Sequence, residues 1–184
     1  MRIAISLGTL LIFAAVANAA DLPEGWYKIG DAGMKSYSVE VVSSAGLQGP
    51  ALRVRKLEDD SGTFGGVGQM ISADEYAGKT VKLSGYLKTV DIQEGYGGLW
   101  FRVDKGKDVL VLDNMNDRGV TGTTDWKRYD TIVRVDENAT RILFGALMSG
   151  TGEMYADSFS LEIVPDETPT TAESLPRKPR NLDF

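Results

Sequence analysis

Thr80-Val81-Lys82-Leu83-Ser84-Gly85-Tyr86-Leu87-Lys88-Thr89-Val90 places Val81, Leu83 and Leu87 on one side of an extended chain and Lys82, Ser84, Tyr86 and Lys88 on the other. Successive side chains of a strand point to opposite faces, so this alternation gives one core face and one polar face. Leu99-Trp100-Phe101-Arg102-Val103-Asp104 repeats the division. Leu99, Phe101 and Val103 turn inward, which leaves Trp100 and Arg102 on the far side. A large indole beside a guanidinium on a non-core face marks a surface that its own loops cover or that a ligand binds.

The same period of two runs outward in both directions, interrupted by glycine, asparagine and aspartate at the turns. It predicts strands near 37–42, 51–56, 63–71, 80–90, 97–104, 108–113, 127–135, 140–148 and 153–163. In the last of these, Tyr155, Asp157, Phe159, Leu161 and Ile163 share a side, which places the Asp157 carboxylate in an apolar row where it needs a partner. Helical spacing is sustained nowhere. One helical turn is expected where Ser72-Ala73-Asp74-Glu75 has capping-box spacing and Gly78 supplies a positive φ. Eight or nine strands in one domain have to close or stack, because a flat sheet of that size exposes an apolar face and two edges. The sequence therefore reads as all-β, a two-sheet antiparallel jelly-roll β-sandwich.

The chain has 184 residues, with 20 Lys+Arg against 26 Asp+Glu, no cysteine and no histidine. Disulfides, thiolate nucleophiles, Cys/His zinc sites and imidazole acid–base catalysis each need a side chain that is missing. A net charge of −6 without a basic stripe argues against nucleic acid as a partner. Met1-Arg2, the apolar run from Ile3 to Val16 and the small-residue site Ala17-Asn18-Ala19 have the order of a secretory signal peptide. Residues 1–19 are read as that signal, 20–164 as the sandwich and 165–184 as a Pro-rich extended tail. The expected location is periplasmic or secreted, with no membrane insertion after cleavage.

Polar chemistry concentrates in Asp113-Asn114-Met115-Asn116-Asp117-Arg118, directly after an apolar strand. Two carboxylates near one arginine allow a glycosidase-like acid/base pair. The same oxygens allow a structural calcium, although EF-hand spacing is absent and nothing else supports a cofactor. The plainer alternative is a turn in which Asp and Asn bond their own backbone and Arg118 pairs with a neighbouring carboxylate.

Gly98-Leu99-Trp100-Phe101-Arg102-Val103-Asp104, Leu112-Asp113-Asn114-Met115 with Asp117-Arg118, and Gly122-Thr123-Thr124-Asp125-Trp126-Lys127-Arg128-Tyr129 together resemble an exported bacterial jelly-roll domain. Phe144-Gly145, Ser149-Gly150-Thr151-Gly152 and Thr168-Pro169-Thr170-Thr171 extend the resemblance over roughly residues 26 to 171. That module is similar to galactose-binding-like and carbohydrate-binding sandwiches, and it also occurs fused to transcriptional regulators and to peptidase or esterase domains. Where members carry Arg-Pro-Ile-Lys-Gly, this chain has Arg118-Gly119-Val120-Thr121-Gly122. The resemblance implies a fold and no fixed ligand.

Three functions follow, in order. The first is an exported non-catalytic binding module for a carbohydrate or other small polar ligand. It would use one sheet face carrying Trp100, Arg102, Tyr86 and Gln69, with Asp113, Asn114 and Arg118 at the margin. The second is a module that binds a protein partner or serves assembly, with no small-molecule ligand. The third is a carboxylate-based glycan-active enzyme.

Overall fold

A computed structural model describes residues 19–31, 35–43, 45–58 and 62–172. Residues 1–18 of the expected signal segment 1–19 and residues 173–184 of the expected tail 165–184 lie outside them. Every regular element among the described residues is a strand: β1 (Ala19–Ala20), β2 (Trp26–Gly30), β3 (Tyr37–Val42), β4 (Ala51–Lys56), β5 (Phe64–Ser72), β6 (Thr80–Lys105), β7 (Asp108–Asp113), β8 (Val120–Arg134), β9 (Arg141–Ser149) and β10 (Glu153–Val164).

β6 builds both sheets. Its first half, Thr80 to Val90, pairs with β10 and β8, and its second half, Gly97 to Asp104, pairs with β9, while β7 joins from Phe101 to Lys105. Between the halves Asp91 and Glu94 take positive φ, and from Leu87 to Gly97 the register with β8 slips three times. Such bulges bend and twist a strand, which lets one continuous segment leave one sheet and enter the other. The first sheet thus runs β1-β3-β4-β10-β6-β8 and the second β7-β6-β9-β5-β2, all antiparallel.

The apolar rows meet between the sheets as expected. Val81, Leu83, Leu87, Leu99, Phe101 and Val103 are fully buried, with Val54, Val67, Val133, Ile142 and Met154 from the neighbouring strands. After β5 the chain makes one helical turn, Ala77 N–H donating to Ala73 C=O at 2.8 Å, and Gly78 leaves it at φ +72°. That turn carries the chain from one sheet to the other.

Two expectations need correction. The alternation expected through β10 breaks at Ser158, whose φ is +54°, where the register with β6 shifts between Asp157 and Ser160. Met154 and Ala156 therefore face the core before the bulge, and Phe159 and Leu161 pack against it after the bulge. Asp157 lies on the other face, where its carboxylate accepts the backbone N–H groups of Leu47 and Ser158. The segment after Val164 is likewise not an extended tail at its start. Residues 165–172 fold back onto the sandwich, with Asp166 paired to Arg134, Thr171 N–H donating to Ile132 C=O at 2.8 Å, and Ala172 packed on the core.

Candidate functional site: a groove on the second sheet

The outward face of the second sheet holds a groove of about 560 Å³. Alternation fixes what reaches it. Trp100 and Arg102 come from β6, Leu143 and Leu147 from β9, Leu112 from the end of β7 with Asn114 just after it, and Tyr27 and Ile29 from the edge strand β2. Phe64 and Tyr96 stand at one end with Thr63 and Ser149. Across the middle the register aligns Trp100 with Gly145 and Gly145 with Gly68, and Gly68 in turn with Tyr27.

Those two glycines make the floor. A Cβ at Gly68 would lie 2.7 Å from the Trp100 ring, and one at Gly145 would lie 2.1 Å from Val67 C=O and 3.0 Å from the indole nitrogen. The indole thus lies down across β9, and its N–H donates to Val67 C=O on β5 at 2.9 Å. Only 6% of Trp100 remains exposed. It is a floor plank whose polar atom is satisfied, as buried tryptophans require.

Arg102 stands beside it in a different state. Its Nε and Nη2 form a fork on Asp104, at 2.6 and 3.0 Å, and Arg141 closes on the other side of the same carboxylate at 2.9 Å. Asp104 is fully buried while both guanidiniums stay about one-third exposed. Burial pushes the Asp104 carboxyl up, but the hydrogen bonds and charges of the two arginines outweigh that and hold it below the ordinary range. Arg102 Nη1 has no protein partner among the described residues. Tyr27, 37% exposed, has its phenol pushed up by burial, with Arg102 and Arg141 pulling the other way, so it is a neutral hydroxyl at pH 7.

Of the residues expected at one face, Trp100, Arg102 and Asn114 line the groove together. Pairing of Arg102 with Leu112 and of Phe101 with Asp113 explains why Asn114 arrives next to Trp100. Asp113 points the opposite way, with Phe101. Nearly buried there, it accepts from Arg118 at 2.7 Å, from Met115 N–H at 3.1 Å and from the Thr171 hydroxyl at 2.5 Å. Arg118 also reaches Asp117 at 3.0 Å, so these groups form the paired turn rather than a margin of the groove.

The expected placement of Tyr86 and Gln69 on that face is corrected. Tyr86 belongs to the first half of β6 and lines a shallow depression with Asp157, Leu47 and Pro50. Gln69 has the parity of core-facing Val67 and sits against Gly25. The lining residues that the sequence does not reveal include Tyr27, Ile29, Phe64 and Tyr96. Tyr27 and Ile29 sit in a five-residue strand with apolar groups on both faces, and Tyr96 sits in the glycine-rich bend, where parity cannot be counted.

No protein-family model matches the chain. Among solved structures, the C-terminal family 22 carbohydrate-binding module of Clostridium thermocellum Xyn10B superimposes with a TM-score of 0.55 at 13% identity, covering 79% of this chain and 89% of the module. In fold the chain is a jelly-roll β-sandwich like that module. A family 16 carbohydrate-binding module gives 0.53 at 19% identity, covering 72% and 92% of the two chains. The CBM22-1 xylan-binding domain of Paenibacillus barcinonensis Xyn10C gives 0.51 at 16% identity, covering 80% and 96%. A sequence relative is the uncharacterized HTH-type transcriptional regulator YbfP of Bacillus subtilis (strain 168), 39% identical over 130 residues, covering 68% of this chain. The match spans 44% of that regulator, so this jelly roll shares less than half of its length.

Proposed function

We propose that this protein is a non-catalytic module that binds carbohydrate in the groove of the second sheet. The observation that carries the reading is the groove itself, an aromatic-walled channel across five strands with a preset arginine and an asparagine at its side. Adjacent strands lie about 4.8 Å apart, so the crossing from Asn114 to Tyr27 spans roughly 19 Å. That length accommodates an extended oligosaccharide. Tyr27, Phe64 and Tyr96 offer flat apolar faces for sugar rings, and Arg102 Nη1, Asn114 and the Tyr27 hydroxyl offer donors for their oxygens. Solved modules of the same fold bind xylan, which supports the reading by analogy of fold.

A non-catalytic role is supported by the use already made of the carboxylates. Asp104 is held by two arginines, and Asp113 by Arg118, Thr171 and a backbone N–H, so among the described residues no acid and base face each other across the groove. Among the described residues no helix is long and apolar enough to cross a membrane. With the signal-like segment at residues 1–19, we place the mature protein in the periplasm or outside the cell.

The test is affinity electrophoresis of the mature protein through gels containing xylan, galactan, mannan, β-glucan or polygalacturonate. Retardation by at least one polysaccharide, weakened by Tyr27→Ala, is the expected result. A second reading, docking of a protein partner, draws on apolar side chains exposed at the groove, Leu112 in its lining and Met70 on β5, at 53% and 54%. Absence of retardation in every gel, with Leu112→Asp abolishing a complex in cell extract, would favour it.

A further inference from the structure

We propose that the groove selects carbohydrate bearing carboxylates, the uronic-acid residues of an acidic polysaccharide; this rests on the carbohydrate reading above. The net charge of the chain is −6, yet the formally charged side chain among the described groove-lining residues is a cation, Arg102. Asp104, the carboxylate nearest to it, does not cancel that charge. It is shared with Arg141, so two cations face one anion and the cluster keeps a net charge of +1.

The geometry also leaves the charge directed. Asp104 occupies Nε and Nη2 of Arg102 from behind, which fixes the plane of the guanidinium and leaves Nη1 to bond outward. Arg141 anchors Asp104 in turn through both Nε and Nη2 at 2.9 Å. A guanidinium held in this way loses little freedom when it binds an anion, and a charge-assisted bond in a partly dry groove is about twice as strong as a neutral one. A neutral sugar could use Nη1 only as an ordinary donor. A uronate places its carboxylate there while its ring lies over the apolar floor of Trp100 and Leu147, with the neutral Tyr27 hydroxyl as a further donor. Because the rest of the chain is acidic, long-range attraction of a polyanion is weak, so recognition has to come from this one local contact.

The experiment is calorimetric titration of the mature protein with three oligosaccharide probes: oligogalacturonate, the same oligomer fully methyl-esterified, and neutral β-1,4-galacto-oligosaccharide, with dextran sulfate as a polyanion control. Oligogalacturonate should bind about tenfold or more tightly than its methyl ester, the loss of one charged hydrogen bond. Arg102→Gln should remove that preference, and Arg55→Gln, an exposed position on β4 away from the groove, should keep it. Because esterification changes only the ligand, the comparison stands even if Arg102→Gln is poorly folded. Equal binding of the ester or of neutral galactan would overturn the inference and leave the carbohydrate reading intact. Dextran sulfate binding as tightly as oligogalacturonate would also overturn it, showing response to charge alone. No binding of any probe here, combined with no retardation in the polysaccharide gels, would remove both.

Discussion

Trp100 donates its indole N–H to Val67 C=O at 2.9 Å, reaching two strands across the sheet because Gly145 on the strand between them has no side chain. The ring that the alternation sends outward is therefore part of the packing of the second sheet. Loss of a buried tryptophan typically costs about 3–5 kcal/mol, and Trp100→Ala should lower stability by that order in urea unfolding.

Gly145→Ala tests the same relationship from the other side. Its Cβ would meet Val67 C=O and displace the indole. The variant should be destabilised on its own, and the double variant with Trp100→Ala should lose less than the sum of the two, because displacement of the indole is then counted once while the clash with Val67 C=O remains. Simple additivity in the unfolding free energies would mean that the glycine and the indole are independent.

Asp104 links the groove to acid stability. An unfolded Asp titrates near 3.8, and the folded Asp104 carboxyl lies lower because Arg102 and Arg141 outweigh its burial. Its contribution is fully present above about pH 5 and fades as the pH falls through the unfolded value and then the folded one. Asp104→Asn should therefore lose stability at pH 7 and show a shallower decline between pH 4 and pH 2 than the wild type. The loss should fall below the roughly 3–5 kcal/mol of a fully buried broken pair, since both guanidiniums reach water. Melting temperatures across pH 2 to 7 measure this, and parallel acid limbs would argue against it.

Besides the Asp166–Arg134 pair, the segment after Val164 is held by one hydroxyl with several partners. Thr171 Oγ accepts Ile132 N–H at 2.6 Å and donates to Asp113 at 2.5 Å. Thr171→Val leaves a backbone donor and a nearly buried carboxylate short of a partner, at a cost of about 1–3 kcal/mol. Thermal melts should show the loss, and a chain ending at Val164 should melt lower still. An unchanged melt on truncation would mean that the segment is not clasped in solution.

The strand pattern was readable because period two survives wherever a strand has one wet face, as in Thr80 to Val90. It failed where backbone conformation breaks the count. Ser158 at φ +54° flips the row that holds Phe159 and Leu161 relative to Asp157, and no residue in Asp157-Ser158-Phe159 advertises a bulge. Strand β2 escaped notice because Trp26 packs on the core while Tyr27 and Ile29 face the groove, so both faces carry apolar groups. The site was half legible for the same reason. Trp100, Arg102 and Asn114 follow from one hairpin, whereas alternation puts Tyr86 on the non-core side without showing that the sheet switch within β6 separates it from that face, and Gln69 shares the parity of core-facing Val67. Thr171 lies 58 positions from Asp113, and nothing local to either residue announces their contact.

The central claim, that carbohydrate occupies the groove over Trp100, is tested most directly by the indole N–H resonances of the three tryptophans in a nitrogen-15-labelled protein. Trp100 forms the floor of the groove, whereas Trp126 sits on β8 in the other sheet. Titration with oligogalacturonate and neutral oligosaccharides should shift the Trp100 signal in a saturable way and leave the Trp126 signal in place. A Trp100 signal that stays fixed through the whole panel, while other resonances move or none do, would contradict the account.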